Sequence, residues 1–192
     1  MTSFTKADTN KMSWEEFGKL VDILIGKVQA FFSEHDQRLD VISQLHRTGG
    51  IIGSTMAIRM KIVPLLPVQF KYAYHPKRIE QIISVPDILV DVPEDMNILL
   101  CEGNTSSGSI AMHAAKVIKE KYPKAKIYLA TLVKVFDCPE KLDGIEQIFY
   151  GVMSDEKFQA TDEQKKKLGM REGITLFPWE CAEDELAEVN GV

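Results

Sequence analysis

The sequence predicts a single α/β domain, spanning residues 1–192, with a central, mostly parallel sheet flanked by helices. Segments typical of strands alternate with segments typical of helices along most of the chain. A short polar stretch directly follows one predicted strand and leads into a helix, which is where parallel sheets commonly bind ligands. At 192 residues the chain is long enough to bury one substantial core.

The composition excludes several classes of protein. The chain is 45% hydrophobic and 27% charged, with a net charge of -5. This acidic balance argues against nucleic-acid binding, which needs a clustered cationic surface. The most apolar long stretch is interrupted by Asp22 and Lys27, so we expect no membrane span. The three cysteines lack metal-binding or disulfide spacing, and the polar N-terminus lacks a secretion signal, so we expect a cytoplasmic protein.

The first half of the chain begins with a helix. Ser13 and Glu16 have the spacing of a capping box, and apolar residues then recur at helical intervals from Phe17 to Val28. The elements predicted next are a strand at Leu39–Leu45, a loop HRTGG, a helix over residues 51–60 and a strand at Ile62–Val68. Two prolines in the last of these strands place it near a sheet edge.

The second half begins with a long segment from Lys71 to Asn97 that is rich in proline and charge. Connections of this length are usually functional, and we expect a hood or lid. The elements predicted after it are a strand at Ile98–Cys101, a helix at Ile110–Lys121, a strand at Lys126–Val135, a short helix at Glu163–Leu168 and a C-terminal tail over residues 174–192.

The stretch from Glu102 to Ile110 has the chemistry of a phosphate site. A loop that enters a helix at the end of a parallel strand presents free backbone amides to an anion. Gly108 allows a close backbone approach, and hydroxyl or amide donors are supplied by Asn104, Thr105, Ser106, Ser107 and Ser109. The alternative is that Ser107 or Ser109 merely caps the helix. One cap needs one such residue, however, and five polar residues surround the glycine.

Two familiar nucleotide-binding motifs do not fit this loop. A P-loop requires a lysine directly after its second glycine, and Ser109 stands at that position. A dinucleotide-binding fold requires the G-x-G-x-x-G pattern after a strand, which the sequence lacks.

The chain resembles the type I phosphoribosyltransferases. Four apolar residues, an acidic position and small hydroxylated residues before a glycine and a helix are similar to the ribose-phosphate loop of that family. SWEEF, HRTGGIIGSTMA, TLVKV and the closing ITLFPWE appear in family order, so the resemblance extends over most of the chain. It is most similar to the xanthine/guanine/hypoxanthine branch, through Lys134 after the signature helix and the FPWE near the end. The implied fold is the type I phosphoribosyltransferase fold.

The resemblance implies a role for each matching residue. Glu102 would take a ribose hydroxyl, as the first acid of the family's usual acidic pair does, and Glu102 and Ser106 are the catalytic candidates of the loop. The pyrophosphate would meet Arg47, Thr48, Gly49 and Gly50. The purine base would meet Lys134, Ile174 and Thr175. The phosphoribosyl group would be held by the loop residues Gly103, Asn104, Thr105, Ser106, Ser107, Gly108, Ser109 and Ile110.

The implied reaction is displacement at C1 of phosphoribosyl pyrophosphate by a nucleobase, with release of pyrophosphate. Mg²⁺ would arrive with the multiply charged leaving group rather than on ligands of the protein's own. Partners would then be small molecules, namely phosphoribosyl pyrophosphate, a nucleobase and a nucleotide. Members of the family usually form homo-oligomers, and the resemblance implies the same here.

The sequence departs from the family pattern at several of these positions. Gly103 replaces the second acid of the ribose pair, and Ser106 replaces the aspartate that purine enzymes place near the base. Ile174 stands where an aromatic usually stacks on the purine, and Thr48 replaces an arginine, with Arg47 one residue earlier. Two hypotheses follow, an active purine-type transferase and a non-catalytic module that binds a phosphoribosyl compound or nucleotide.

Overall fold

The computed structural model describes residues 4–62, 64–74 and 77–190. A 3₁₀ turn at Lys6–Asp8 precedes the first strand. The helices are α1 (Trp14–Glu34), α2 (Thr48–Met60), α3 (Ser109–Lys121), α4 (Asp162–Leu168) and α5 (Ala182–Asn190). The strands are β1 (Thr9–Lys11), β2 (Val41–His46), β3 (Leu65–Tyr74), β4 (Lys77–Ile83), β5 (Asn97–Thr105), β6 (Lys126–Val135), β7 (Ile148–Asp155), β8 (Arg171–Glu172) and β9 (Ile174–Leu176).

A seven-stranded sheet forms the centre of the molecule, in the order β4-β3-β2-β5-β6-β7-β8. Every neighbouring pair is parallel except the antiparallel pair β3–β4 at one edge. A separate parallel pair joins β1 to β9, with Thr9 opposite Ile174. The predicted α/β architecture with a mostly parallel central sheet is therefore confirmed.

Helices cover both faces of the sheet, which explains why its central strands are apolar throughout. On one face α1 and α2 bury side chains such as Leu24 and Met56 against Leu99 and Cys101 of β5. On the other face the alanines of α3 and Ile118 pack on alternate residues of the same strand. The alternation along β5 places its carboxyl end between the two helical layers.

The predicted hood contains an antiparallel hairpin, β3–β4, rather than an irregular lid throughout. The predicted strand at 62–68 begins only at Leu65 and runs on to Tyr74, so the prediction was wrong about both ends. Because β4 pairs outside it, β3 lies next to the sheet edge, as its prolines predicted. Val63 and residues 75–76 of the predicted strand and hood lie outside the described residues.

Several predicted boundaries were wrong near the ends of the strands. The loop HRTGG is short, because α2 already begins at Thr48. β5 extends to Thr105, so Glu102 to Thr105 are strand residues and the loop proper covers only the next three. The strands β1, β4, β7, β8 and β9 and helix α5 were not predicted, and residues 191–192 of the tail lie outside the described chain. Within the described residues, no helix is long and apolar enough to cross a membrane.

Candidate functional site

The predicted site residues outside the tail lie at the carboxyl ends of β2, β5 and β6. These strands are neighbours, so their ends meet at one edge of the sheet. The register places Thr105 of β5 opposite Lys134 of β6. At the same edge β2 ends at His46, and α2 follows directly after Arg47.

Helix α2 begins in close contact with β5. A Cβ built on Gly49 would collide with the Cys101 carbonyl oxygen and lie 3.3 Å from the Glu102 Cα. Only glycine therefore lets the first turn of α2 reach the end of β5. The first backbone amides of a helix have no intrahelical acceptors, so α2 directs its positive end toward Glu102.

The loop after β5 turns into α3 through Gly108, which has a φ of 72°. A Cβ at this position would also lie 2.5 Å from Leu142 Cδ2, so both conformation and space favour glycine. Gly108, rather than Ser107 or Ser109, occupies the N-cap position. The two serine hydroxyl oxygens lie 2.9 Å apart, and Ser107 Oγ accepts the Ser109 amide at 3.4 Å. The serines thus cluster at the start of α3.

Glu102 is half-buried at the end of β5 and accepts a hydrogen bond from the Thr105 hydroxyl. Burial raises the pKa of its carboxyl group to about 7, although the Thr105 hydrogen bond opposes this shift. A carboxyl group with such a pKa changes its ionisation readily when a ligand brings donors or a cation close to it.

Lys134 is almost completely buried, with 2% of its surface exposed. Its Nζ lies 2.8 Å from Glu140 Oε1 and 5.6 Å from the centre of the Tyr150 ring. Lys134 is therefore not an ordinary solvent-exposed lysine at the end of a strand. A buried ammonium group with one exposed carboxylate partner can exchange that partner for a ligand oxygen.

The tail residues Ile174 and Thr175 are buried in β9, beside β1. The Thr175 backbone amide donates to Glu156 Oε1 at 3.0 Å. The other oxygen of Glu156 accepts from Asn104 Nδ2 at 2.7 Å. Glu156 thus ties the tail to the end of β5, a connection that sequence reasoning missed.

Gly103 lies where the start of α2 and the tail meet. A Cβ built there would collide with the Thr48 Cγ2 methyl group and lie 3.2 Å from Phe177 Cε2. Glu180 also links the tail to the start of α2. Its Oε2 accepts a hydrogen bond from the Phe177 amide at 2.8 Å, and its Oε1 accepts one from the Thr48 hydroxyl at 3.4 Å. Gly103 is therefore a packing contact between the start of α2 and the tail.

The fold of this chain is similar to that of known structures. A purine phosphoribosyltransferase from Pyrococcus horikoshii superposes with a TM-score of 0.64 at 16% identity, covering 91% of this chain and 95% of that one. A xanthine-guanine-hypoxanthine phosphoribosyltransferase from Helicobacter pylori gives 0.60 at 17% identity, with 94% and 99% covered. The chain has the type I phosphoribosyltransferase fold. No model of a protein family and no curated protein matches the sequence.

The phosphoribosyltransferase fold of this chain is also shared by a protein without a stated activity. A hypothetical protein from Neisseria gonorrhoeae with bound ppGpp has a TM-score of 0.65 and 14% identity, and the match covers 96% of both chains. Among similar structures, this fold therefore occurs both in named phosphoribosyltransferases and in a protein without a stated activity.

Two carboxylates of the site, Glu156 and Glu180, were missed by sequence reasoning. Glu180 was visible only as the end of FPWE, and no periodic pattern marked Glu156, which follows a strand that was not predicted. Burial raises the pKa of the Glu180 carboxyl group. Among the described residues, no group of three or more histidines, cysteines, aspartates and glutamates could hold a metal ion.

Proposed function

We propose that this protein transfers a phosphoribosyl group from phosphoribosyl pyrophosphate to a nucleobase of the purine class and releases pyrophosphate. The observation that carries the proposal is the meeting of three features at one sheet edge. These are the serine-rich turn into α3, the start of α2 pressed against β5, and Glu102 between them.

The turn into α3 is suited to the 5-phosphate of the sugar. Backbone amides at the start of a helix and several hydroxyl groups can surround a phosphate, and the helix dipole favours its charge. Gly108 keeps the backbone close enough for those amides to reach the phosphate oxygens. We assign this role to Thr105, Ser106, Ser107, Ser109 and Ile110, with Glu102 accepting a ribose hydroxyl.

The start of α2 is suited to the pyrophosphate. Gly49 and Gly50 carry no side chains that would keep an anion from this turn, although the Gly50 amide already donates to the Arg47 carbonyl oxygen at 3.0 Å, and Arg47 supplies a cation at the same turn. Mg²⁺ would arrive as part of the substrate, neutralising the leaving group. The half-buried Glu102 carboxylate lies close enough to this turn to assist in holding a hydrated metal–pyrophosphate complex.

The base would lie beside Lys134, which can donate to an exocyclic oxygen after releasing Glu140. Ile174 and Thr175 would border it from the tail. The ring nitrogen attacks C1 of the ribose while the C1–oxygen bond to pyrophosphate breaks. Positive charge develops on the sugar, and Glu102 stabilises it electrostatically.

The second candidate function is binding of a phosphoribosyl compound or nucleotide without catalysis. Gly103 favours it, because α2 and the tail fill the position at which the family carries its second acid. Ser106 favours it as well, since a hydroxyl cannot replace a carboxylate as a base at neutral pH. The similar Neisseria structure, with bound ppGpp and no stated activity, is compatible with this candidate.

Pyrophosphate release separates the two candidates. The protein is incubated with Mg²⁺ and phosphoribosyl pyrophosphate, with and without each of a panel of purine and pyrimidine bases. We expect release that depends on a purine. No release with any base, together with a rise in melting temperature on adding nucleotide, would instead support the binding function.

A further inference from the structure

Glu140 is a carboxylate that occupies the hydrogen-bonding position of the proposed base lysine. Its Oε1 lies 2.8 Å from Lys134 Nζ, and no other described residue accepts a hydrogen bond from that ammonium group. The Lys134 side chain is 2% exposed, whereas the Glu140 side chain is 87% exposed. The carboxylate therefore covers the buried ammonium group from the solvent side, which is the side from which a ligand must approach.

The loop between β6 and β7 fixes the position of Glu140. Cys138 and Leu142, two residues to either side of it, are each 4% exposed. The Cys138 amide donates to a carbonyl oxygen at the end of β6 at 3.0 Å. Leu142 packs at the start of α3, where a Cβ on Gly108 would lie 2.5 Å from its Cδ2. Because these flanking residues are buried, little conformational entropy is lost when Glu140 pairs with Lys134.

Glu140 and a base compete for the same ammonium group. An ammonium group has three N–H donors, but the one open side of Lys134 is the side that Glu140 covers. The hydrogen bond to the carboxylate is assisted by charge on both partners, which the neutral oxo group of a base cannot match. A base therefore reaches Lys134 only in molecules whose pair has opened, and its apparent affinity falls with the fraction of such molecules.

We propose that Glu140 is an autoinhibitory contact, an internal competitor that a ligand must displace from Lys134. This proposal rests on the proposed function of the same site, because it takes Lys134 as the residue that meets the base. The displaced carboxylate remains hydrated, since its side chain is already 87% exposed. Glu140 thus acts in the opposite sense to the other site residues, and its removal should tighten binding.

Glu140→Ala distinguishes competition from structural support, because affinity and stability should change in opposite directions. Calorimetry with guanosine 5′-monophosphate (GMP) should show about tenfold tighter binding than by the native protein, as expected if the pair is closed in about nine molecules of ten. The melting temperature should fall, since the buried ammonium group loses its acceptor. Ribose 5-phosphate, which carries no base, should bind equally to both proteins.

Two further variants control for the identity of the competing groups. Lys134→Met removes the group that is competed for, so adding Glu140→Ala to it should change GMP affinity by less than about twofold. Glu146→Ala makes the same change in the same loop, at an ion pair with Lys119 of 3.7 Å, and should leave GMP affinity unchanged.

Glu140→Gln provides a milder test that does not depend on the folding of Glu140→Ala. Glutamine keeps an acceptor but loses the charge, so GMP should bind about threefold more tightly than to the native protein. Unchanged or weaker GMP binding by both Glu140 variants, or no GMP binding by either folded variant, would overturn the proposal. An equal gain in ribose 5-phosphate affinity, or the same gain in the Lys134→Met background, would overturn it as well.

Pyrophosphate release, measured in parallel, keeps this inference separate from the proposed function. Release with purines, together with GMP binding that Glu140→Ala does not tighten, overturns the internal competitor and retains the transferase. Tighter GMP binding by Glu140→Ala without release from any variant retains the competitor and overturns the transferase.

Discussion

Gly103 has a packing role in the structure that the loop motif alone does not indicate. In the sequence, Gly103 stands where the family carries an acidic residue, and this replacement predicts weaker sugar binding. In the structure its missing side chain leaves the space that Thr48 and Phe177 occupy. The replacement therefore brings the start of α2 and the tail together, a consequence that requires the positions of three distant segments and cannot be seen in the loop alone.

Gly103→Ala tests this packing. The added methyl group should destabilise the protein by about 1–3 kcal/mol, because it collides with Thr48 and presses on Phe177. Urea unfolding gives the free energy of unfolding. Gly26→Ala is the control, since nothing lies within 4 Å of its added Cβ and helix α1 should gain about 0.5–1 kcal/mol. Equal stability of the Gly103 variant and the native protein would contradict the packing.

Lys134→Met should weaken base or nucleotide binding by about 10- to 100-fold, since it removes a charge-assisted hydrogen bond. Methionine retains the apolar stem in a position that is 2% exposed. Phosphoribosyl pyrophosphate binding should change little, because Lys134 is assigned to the base alone. Titration calorimetry with each ligand measures the two effects. Equal loss of both affinities would remove Lys134 from the base site.

The raised pKa of the Glu102 carboxyl group predicts that the stability of the protein depends on pH. Its folded pKa is raised to about 7 by burial, whereas an unfolded glutamate titrates near 4.5. Between these values the folded state binds more protons than the unfolded state, so the free energy of unfolding falls as pH rises from about 4.5 to 7. Glu102→Gln removes this fall and should be more stable than the native protein by up to about 3 kcal/mol at pH 8.

Urea unfolding of both proteins at pH 5 and pH 8 measures this difference. The two stabilities should lie close together at pH 5 and diverge at pH 8. A gap that is no larger at pH 8 than at pH 5 would show that Glu102 titrates normally in the folded protein.

At the scale of elements, the sequence predicted the strands with continuous apolar runs most accurately. β6 has the predicted bounds, Lys126–Val135, because every residue after the first is buried and the apolar run marks the strand. β7 was missed because most of its residues are only partly buried and Gly151 interrupts the pattern. The pairing of β1 with β9 joins residues about 165 positions apart, and no local pattern indicates such a contact.

Contacts between distant segments of the chain were also missed at the candidate site. Resemblance to a family located Glu102, Gly108 and Lys134, because they lie on the most regular strand–helix unit. It could not locate Glu156, whose partners Asn104 and Thr175 lie 52 and 19 residues away. Connections of this kind depend on the tail folding back over the sheet.

The β1–β9 pair is expected to hold the base side of the site in place. Arg171 links the N-terminal segment to β8, since it donates to the Asn10 carbonyl oxygen at 3.2 Å and to Asn10 Oδ1 at 3.1 Å, and it also pairs with Glu16. Arg171→Met should therefore speed amide hydrogen exchange across Ile174–Leu176 and weaken nucleotide binding.

Arg59→Met is the matched control, because it removes an exposed ion pair with Asp22 that joins α2 to α1 and does not involve the tail. It should leave exchange at Ile174–Leu176 unchanged. Slow exchange at β9 in both variants would show that the tail does not depend on Arg171.

At the scale of the whole molecule, the α/β topology gathers residues from four distant segments at one edge of the sheet. Arg47 directly follows β2, Glu102 and Lys134 lie near the carboxyl ends of β5 and β6, and Thr175 lies in the tail strand β9. Parallel strands with helical crossovers place all their carboxyl ends on the same side, so the site is a consequence of the connectivity. The hood's function as a lid and the homo-oligomeric state remain predictions.

The most direct measurement is chromatography of the products formed from Mg²⁺, phosphoribosyl pyrophosphate and guanine. A phosphoribosyltransferase converts each bond broken at C1 into one new bond to the base. The account therefore predicts guanosine 5′-monophosphate and pyrophosphate in equal amounts, and neither product in the absence of base. Pyrophosphate without nucleotide, or no product with any purine, would contradict it.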